Sequence, residues 1–193
     1  MERVSDSDHD ETLEEAERRC RELVDACRRV FKPEHPNTLT VTSNLARILR
    51  DRGKLDEAET VCREALQGQR KALPAKHPDT ARTLALLGRI RMEKENPRDA
   101  VPLFREALDI QRQTLPKGKP QTAETASLLG GCLTALGRYA DAEPLVLEGY
   151  QILGGAKDVK AKDIREALER IVKLYEAWGK PAKAAEWRKR LSV

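Results

Sequence analysis

Apolar residues recur along much of the chain at three- and four-residue intervals. Leu45, Ile48 and Leu49 are spaced in this way, and Leu84 and Leu87 repeat the pattern in a later segment. These intervals match the 3.6-residue turn of an α-helix, so each segment is predicted to be a helix with one apolar stripe. A helix cannot bury such a stripe alone. The pattern therefore predicts helices that pack in pairs.

Short motifs mark where the predicted helices begin and end. Thr38 and Thr80 are expected to cap the first helix of a pair, each just after a proline-containing turn. The second helix is expected to end near Leu73-Pro74, because proline disfavours helical backbone in the residue before it. Glycines are expected to end first helices, since glycine readily adopts a positive φ; they are Gly53, Gly137 and Gly179.

One long block of sequence repeats along the chain. The motif His-Pro-Asn-Thr that begins at His35 recurs as His-Pro-Asp-Thr at His77, so the repeat period is 42. The two blocks, 35–76 and 77–118, are identical at 15 of 42 positions. A fixed period of this size is typical of a solenoid, in which each unit stacks on its neighbours.

The repeat register predicts the organisation of the whole chain. We expect a flexible leader at 1–10 and a repeat domain at 11–193, divided into a half repeat at 11–34, full repeats at 35–76, 77–118 and 119–160, and a terminal helix pair at 161–193. The predicted fold is an all-α, right-handed superhelical solenoid. It starts with a lone second-type helix, followed by three full helix pairs and the final pair.

The repeated positions resemble those of the tetratricopeptide repeat family. That family places a large and a small residue side by side in the first helix, as in Leu45-Ala46, Leu87-Gly88 and Leu129-Gly130. It places a small residue early in the second helix, as at Ala58, Ala100, Ala142 and Ala184. The period of 42 instead of about 34 residues, with the His-Pro-Asp-Thr turn, resembles the kinesin-light-chain subtype.

The resemblance implies a non-catalytic scaffold that binds a peptide or protein in a concave groove. Kinesin-light-chain repeats line this groove with a pair of asparagines in the first helix. Asn44 matches one of them, while Leu86, Leu128 and Arg170 stand at its counterparts.

The end of the chain resembles a different group of proteins. Residues 136–145 and 174–180 are similar to the C-terminal repeat regions of bacterial serine/threonine kinases. This similarity implies a bacterial source and an alternative function, as the regulatory or interaction tail of a kinase or other signalling protein. The chain has no Gly-rich loop, His-Arg-Asp or Asp-Phe-Gly motif, so no kinase activity is expected.

Composition and charge narrow the choice of partner. The chain has 36 basic and 32 acidic residues, a net charge of +4, which slightly favours acidic partners and is far from the basicity of a typical nucleic-acid binder. No run of eighteen apolar residues and no signal-peptide core is present, so we expect a cytoplasmic protein without a membrane partner.

No constellation of residues predicts catalysis, a metal site or a cofactor. Cys20 and Cys62 share a register position and are expected to pack in the core, and zinc at Cys20 and Cys27 is a weaker alternative, since the chain has no C-x-x-C pair. His35 and His77 recur in the turn before a helix and are expected to be structural.

Two glycine pairs are interpreted differently. Gly130-Gly131 is expected inside a helix, where close packing explains at least one of the two glycines. Gly154-Gly155 is expected in a loop, which it would loosen.

Five polar residues are candidates for the groove: Asn44, Arg47, Arg82, Arg89 and Lys173. Arg47 and Arg89 are one repeat period apart, so they should stack on adjacent repeats at about 10 Å and bind carboxylates. The alternative is that these arginines only solvate the surface.

The two ends of the repeat domain carry separate expectations. Trp178 and Trp187 should cover the C-terminal end of the core or form an exposed docking patch. The N-terminal end, where the first helix has no preceding partner, is expected to allow a monomer or weak self-association.

Overall fold

The computed structural model describes residues 6–191, with side chains from residue 11 onward. These residues form nine helices and no strand, so the all-α prediction is confirmed. The helices are α1 (Asp6–Val30), α2 (Pro36–Asp51), α3 (Leu55–Ala72), α4 (Pro78–Glu93), α5 (Pro97–Thr114), α6 (Pro120–Ala135), α7 (Tyr139–Gly155), α8 (Ala161–Ala177) and α9 (Pro181–Leu191). Helix α1 begins inside the segment predicted as a leader, and residues 1–5 lie outside the described part.

The chain divides into two compact units. Unit one ends at Lys94 and contains α1 to α4, and unit two begins at Glu95 and contains α5 to α9. In unit one, α2 packs against α3, and α1 and α3 each pack against the first helix that follows them. In unit two the same arrangement joins α6 to α7, α7 to α8, and α8 to α9.

Histidines, not threonines, cap the first helices of unit one. The Nδ1 atom of His35 accepts a hydrogen bond from the backbone N–H of Asn37 at 3.2 Å, and Nδ1 of His77 accepts one from Asp79 at 3.1 Å. The structural interpretation of both histidines is thus confirmed, whereas the predicted caps Thr38 and Thr80 are wrong. A proline at the first helical position holds the residue before it in extended backbone, so the cap must precede the proline. Both threonines lie inside the first turn and are buried.

Glycine ends the first helices as predicted. Gly53, Gly137 and Gly179 have φ values of 72°, 73° and 71°. The position between the first two, one repeat period after Gly53, carries Glu95 with a φ of 56°.

Small residues allow the two helices of a pair to approach closely. In α3, Ala58, Cys62 and Ala65 are fully buried. In unit two, a methyl group added at Gly149 of α7 would lie 2.7 Å from the carbonyl oxygen of Ala123 on α6. A methyl group at Gly130 would lie 2.5 Å from Cγ1 of Val146, so close packing explains this glycine as predicted. Side chains at these positions therefore have to stay small.

The second glycine pair does not lie in a loop. Gly154 and Gly155 form the last turn of α7, which ends at Gly155. The prediction of a loosened loop at these residues is therefore wrong. The C-cap of α7 is Ala156, whose backbone N–H donates a hydrogen bond to the carbonyl oxygen of Leu153.

Candidate peptide-binding face of unit one

The first helices of unit one, α2 and α4, lie side by side. The hydroxyl oxygens of Ser43 on α2 and Thr83 on α4 are 3.1 Å apart, and Nε of Arg50 lies 3.7 Å from a carboxylate oxygen of Glu93. These two contacts fix the register of the helices along most of their length. Residues one repeat period apart in sequence therefore occupy neighbouring places on the two helices.

Each of these helices carries a row of residues at three- and four-residue intervals, which places the row on one helix face. We call these two rows the first-helix rows. On α2 the row is Asn37, Thr40, Asn44, Arg47 and Asp51, and on α4 it is Asp79, Arg82, Leu86, Arg89 and Glu93.

The structure places four of the five candidates on these rows. Asn44 is exposed, the side chain of Arg47 is 56% exposed, and that of Arg82 is 72% exposed. Arg89 is half-buried. Leu86, the counterpart of Asn44, is only 9% exposed. The row on α4 therefore has a buried leucine where the row on α2 has an exposed asparagine.

Carboxylates share the rows with the arginines. Arg47 lies 3.7 Å from Asp51, and Arg82 lies 3.0 Å from Asp79. Both pairs are solvent-exposed ion pairs of one helix, which contribute about 0–1 kcal/mol each and exchange readily for other partners. The face is therefore mixed in charge, and the sequence interpretation that considered its basic residues alone missed Asp51, Asp79 and Glu93. The same spacing rule that selected the arginines would have found them.

Glu93 lies where α2 and α4 end together. Burial raises the pKa of its carboxyl, an effect that Arg50 and Arg89 oppose and Asp51 increases. The carboxyl thus lies within the electrostatic reach of one arginine from each helix. This arrangement brings Arg89 into the same charged cluster as the end of α2.

The fifth candidate, Lys173, belongs to unit two. It is exposed on α8. On the same helix Arg170, another counterpart of Asn44, lies 3.1 Å from Glu166 and 3.4 Å from the hydroxyl of Ser127 on α6. On α8 the asparagine position is therefore filled by a cation that is already bonded to neighbouring side chains.

The cysteines are packing residues. Sγ of Cys62 lies 3.5 Å from the carbonyl oxygen of Thr83, and Sγ of Cys20 lies 3.7 Å from that of Val41, the same contact one repeat earlier. Burial raises the pKa of the Cys62 and Cys132 thiols to about 12. Their thiols are thus protonated at neutral pH, as expected for core residues. No group of three or more metal-ligating side chains occurs among the described residues.

Both tryptophans pack on aromatic residues of α7. Trp178 stacks on Tyr139 with ring centroids 5.9 Å apart, and Trp187 meets Tyr150 edge to face at 5.4 Å. Both indoles are half-buried, which agrees with the expectation that they cover the C-terminal part of the core of unit two.

A model of the tetratricopeptide repeat family matches the chain at residues 9–59, 38–113 and 87–155, which together span 9–155. No protein of curated function matches the sequence. None of the helices in the described part of the chain has the length and apolarity needed to cross a membrane.

Three solved structures illustrate the likeness in fold. BtubC (BKLC) from P. vanneervenii has 17% identity and a TM-score of 0.80 over 94% of this chain and 72% of its own. A putative kinesin light chain from Podosopora anserina, described as having nearly identical TPR-like repeats, has 22% identity and a TM-score of 0.75, covering 93% of this chain and 85% of its own. MamA has 16% identity and a TM-score of 0.60, covering 98% and 94%. At these identities the likeness shows a shared fold, and the structural neighbours include kinesin-light-chain-like repeat proteins, as the sequence predicted.

Proposed function

Since the chain belongs to the tetratricopeptide repeat family, whose members generally act as protein-interaction scaffolds, we propose that it is a non-catalytic scaffold that binds an extended peptide along the first-helix rows of unit one. The observation that carries this proposal is the exposed polar row on α2, with Asn44 and Arg47 at its centre, beside the matching row on α4. Such exposed polar rows on paired, rigid helices offer fixed donors to a ligand.

The spacing of the donors favours a peptide with two separated carboxylates. Arg47 and Arg89 occupy equivalent places on helices whose axes lie about 8–10 Å apart. An extended peptide rises about 3.3 Å per residue, so acidic residues three positions apart would reach both guanidinium groups. Asn44 lies on α2, three residues before Arg47. Its side-chain amide would donate a hydrogen bond to the peptide backbone and accept another from it.

The acidic members of the rows limit this preference. Asp51 and Glu93 lie one helical turn beyond Arg47 and Arg89, so an uninterrupted acidic run would be repelled at that end. The exposed pairs of Arg47 with Asp51 and of Arg82 with Asp79 would be exchanged for the ligand's carboxylates at little cost. We therefore propose acidic residues in the pattern Asp/Glu-x-x-Asp/Glu as the recognised feature.

A displayed library of random peptides, selected on the intact chain, tests the proposal. We expect enrichment of this acidic spacing and its loss with the double variant Arg47→Glu/Arg89→Glu. The matched control is Arg98→Glu/Arg105→Glu, which makes the same charge change at two exposed positions of α5. The variant Asn44→Leu, which introduces the residue found at the counterparts Leu86 and Leu128, should weaken binding about 10-fold by removing peptide hydrogen bonds.

Equal loss with the control pair would mean that net charge, not the first-helix rows, drives binding. Selection of the same peptides by the Arg47→Glu/Arg89→Glu variant would refute the proposed site. Circular dichroism of each variant separates lost binding from lost folding.

Lys173 is proposed as a separate contact of unit two, on exposure alone. The similarity to kinase C-terminal regions, the bacterial source and the cytoplasmic location remain predictions from the sequence.

A further inference from the structure

The second-type helix α9 differs from the others in the residue it places against the next repeat. In α3, α5 and α7 this position is apolar and fully buried, and the residues are Cys62, Phe104 and Val146. Sγ of Cys62 lies 3.5 Å from a carbonyl oxygen of α4, the first helix that follows. In α9 the same position, at multiples of the 42-residue period, carries Arg188. Its side chain is 59% exposed and forms an ion pair with Glu176 of α8.

A repeat helix does not fit on this outer face of α9. It would have to bury the guanidinium group of Arg188, and burying a charge without a matching partner is costly. The neighbouring positions of the same face, Pro181 and Ala185, are small and exposed. A partner that contacts this face therefore meets small residues and a cation instead of an apolar stripe.

The positive charge of the chain is concentrated on the same helix. Residues 180–190 contain five basic residues and one acidic residue. Outside this segment the chain has 31 basic and 31 acidic residues, so the net charge of +4 comes from this segment alone. We call the five basic residues the α9 cations; they are Lys180, Lys183, Arg188, Lys189 and Arg190. Such a patch attracts an anionic partner.

Aromatic rings hold some of the α9 cations in place without removing their charge. Nζ of Lys180 lies 3.0 Å from the ring centroid of Trp178. The guanidinium carbon of Arg190 lies 4.2 Å from the ring centroid of Trp187. These cation–π contacts orient each charged group and leave its N–H donors able to bind an anion.

Two other α9 cations have carboxylate partners that can be exchanged. Nζ of Lys183 lies 3.2 Å from a carboxylate oxygen of Glu143, and Arg188 pairs with Glu176. All four side chains are partly or largely exposed, so each pair contributes little to stability. A carboxylate of a partner can take the place of either glutamate and bind the arginine through two parallel hydrogen bonds.

The surroundings of the cations favour a protein segment over a nucleic acid or a membrane. Bases of a single-stranded nucleic acid stack on free aromatic faces, but Trp178 and Trp187 each have a cation over the ring and a tyrosine against it. A membrane-binding helix inserts large apolar side chains, whereas the exposed uncharged residues of α9 are Pro181, Ala182 and Ala185. Carboxylates need only the charged groups.

We propose that the outer face of α9 is a docking surface for an acidic segment of a protein partner. The surface belongs to unit two and does not depend on the peptide site proposed for the first-helix rows of unit one. Its recognition is electrostatic, so the affinity falls as the salt concentration rises.

Binding of a fluorescent oligoglutamate peptide tests the proposal. It is measured on the variant Arg47→Glu/Arg89→Glu, so that the first-helix rows do not contribute. Adding Arg188→Gln/Lys189→Gln should weaken binding about 10-fold, because two exposed cations of the docking surface are lost. The matched control adds Arg98→Gln/Arg105→Gln, the same charge change at exposed positions of α5, and should weaken binding by less than about 2-fold.

Cross-linking locates the contact. A carbodiimide joins a lysine amine to a carboxylate that touches it, and mass spectrometry of proteolytic peptides identifies the lysine. We expect the oligoglutamate to be joined to Lys180, Lys183 and Lys189. Lys117 and Lys119, which are exposed just before α6, should react far less.

Three results would overturn the proposal. Cross-links spread evenly over the exposed lysines would mean that the α9 cations only solvate the surface. An equal loss with the control pair would mean that net charge drives binding. Tighter binding of phosphatidylserine vesicles or of oligothymidylate, lost with Arg188→Gln/Lys189→Gln, would assign the face to a membrane or a nucleic acid. Circular dichroism of each variant separates lost binding from lost folding.

Discussion

At the scale of the single residue, the position that follows each first helix from α2 to α8 has a positive φ, and Glu95 is the exception in residue type. Gly53, Gly137 and Gly179 occupy the same register position with φ near 72°, while Glu95 has a φ of 56°. A residue with a Cβ loses about 1–2 kcal/mol in this conformation. Glu95→Gly should therefore stabilise the fold by about 0.5–1 kcal/mol after the larger chain entropy of glycine in the unfolded state is subtracted. Urea unfolding followed by circular dichroism measures the change.

The variant Glu95→Ala separates the backbone effect from the loss of the carboxylate. It keeps the strained φ, so its unfolding midpoint should stay near that of the natural chain. An equal gain from alanine and glycine would show that the carboxylate, not the backbone, is unfavourable at this position.

Residue types alone predicted some of these local features and missed others. The glycines at 53, 137 and 179 were predicted because few other residues accept a positive φ. The histidine caps were missed because cap preferences rank Ser, Thr, Asp and Asn first, although proline at the next position already fixed where the cap lies. The exposure of Asn44 and Arg47 followed from helical periodicity. The ion pair of Arg47 with Asp51 required the same reasoning applied to acidic residues.

At the scale of the helix, buried carboxylates tie each second-type helix of unit one to the end of the next first helix. Glu17 on α1 accepts hydrogen bonds from Arg52 at 2.7 Å, Lys54 at 2.9 Å and Arg21 at 2.8 Å. Glu59, one repeat period further on, binds Arg91 and Lys94 at the end of α4. Both connections fix how neighbouring helix pairs stack.

The hydrogen bonds of Glu17 predict that the free energy of unfolding falls in acid. Burial would raise the pKa of the Glu17 carboxyl, but the hydrogen bonds from Arg21, Lys54 and Arg52 outweigh it and lower the pKa from 4.5 to about 2. Because the folded-state pKa is below the unfolded value, the stabilisation is fully present above pH 4.5 and disappears as pH falls toward 2. At a pH of about 3 the loss should be about 2 kcal/mol. Urea unfolding at a series of pH values measures it.

Glu17→Gln should be less stable than the natural chain near neutral pH by about 2 kcal/mol and should lose less on acidification. Glu64→Gln, which removes the exposed ion-pair partner that α3 offers to Arg28 of α1, serves as control and should keep the acid sensitivity. An unchanged pH profile in Glu17→Gln would show that other carboxylates cause the acid loss.

Most helices could be predicted from the sequence because three signals agree within each repeat. These are the apolar stripe of each helix, the proline-containing turn before it and the repeat period of 42 residues. The prediction was weakest where a repeat departs from its neighbours. Gly154 and Gly155 were placed in a loop on composition, but a methyl group added at either would contact nothing within 4 Å, and the backbone continues the helix through both. The closeness of α6 and α7 at Gly149, where an added methyl group would lie 2.7 Å from the carbonyl oxygen of Ala123, is likewise given by no spacing rule.

At the scale of the whole molecule, a repeat protein whose units contact mainly their neighbours is expected to open region by region. Cys62 in unit one and Cys132 in unit two are both fully buried, and their thiols have pKa values raised to about 12. Each can react with a thiol reagent only when its own surroundings open. Cys20 is half-buried and should react at least about 100-fold faster.

These thiols report where the chain opens. We expect Glu17→Gln to speed the labelling of Cys62, because the lost connection belongs to unit one, and to leave the rate at Cys132 unchanged. Pulsed labelling followed by mass spectrometry of proteolytic peptides measures the two sites in one sample. Glu64→Gln, which loses only an exposed ion pair, should change neither rate appreciably. If Glu17→Gln accelerated both cysteines by the same factor, the chain would have to unfold as one cooperative body, because a local defect near α1 could then reach Cys132 only through global opening.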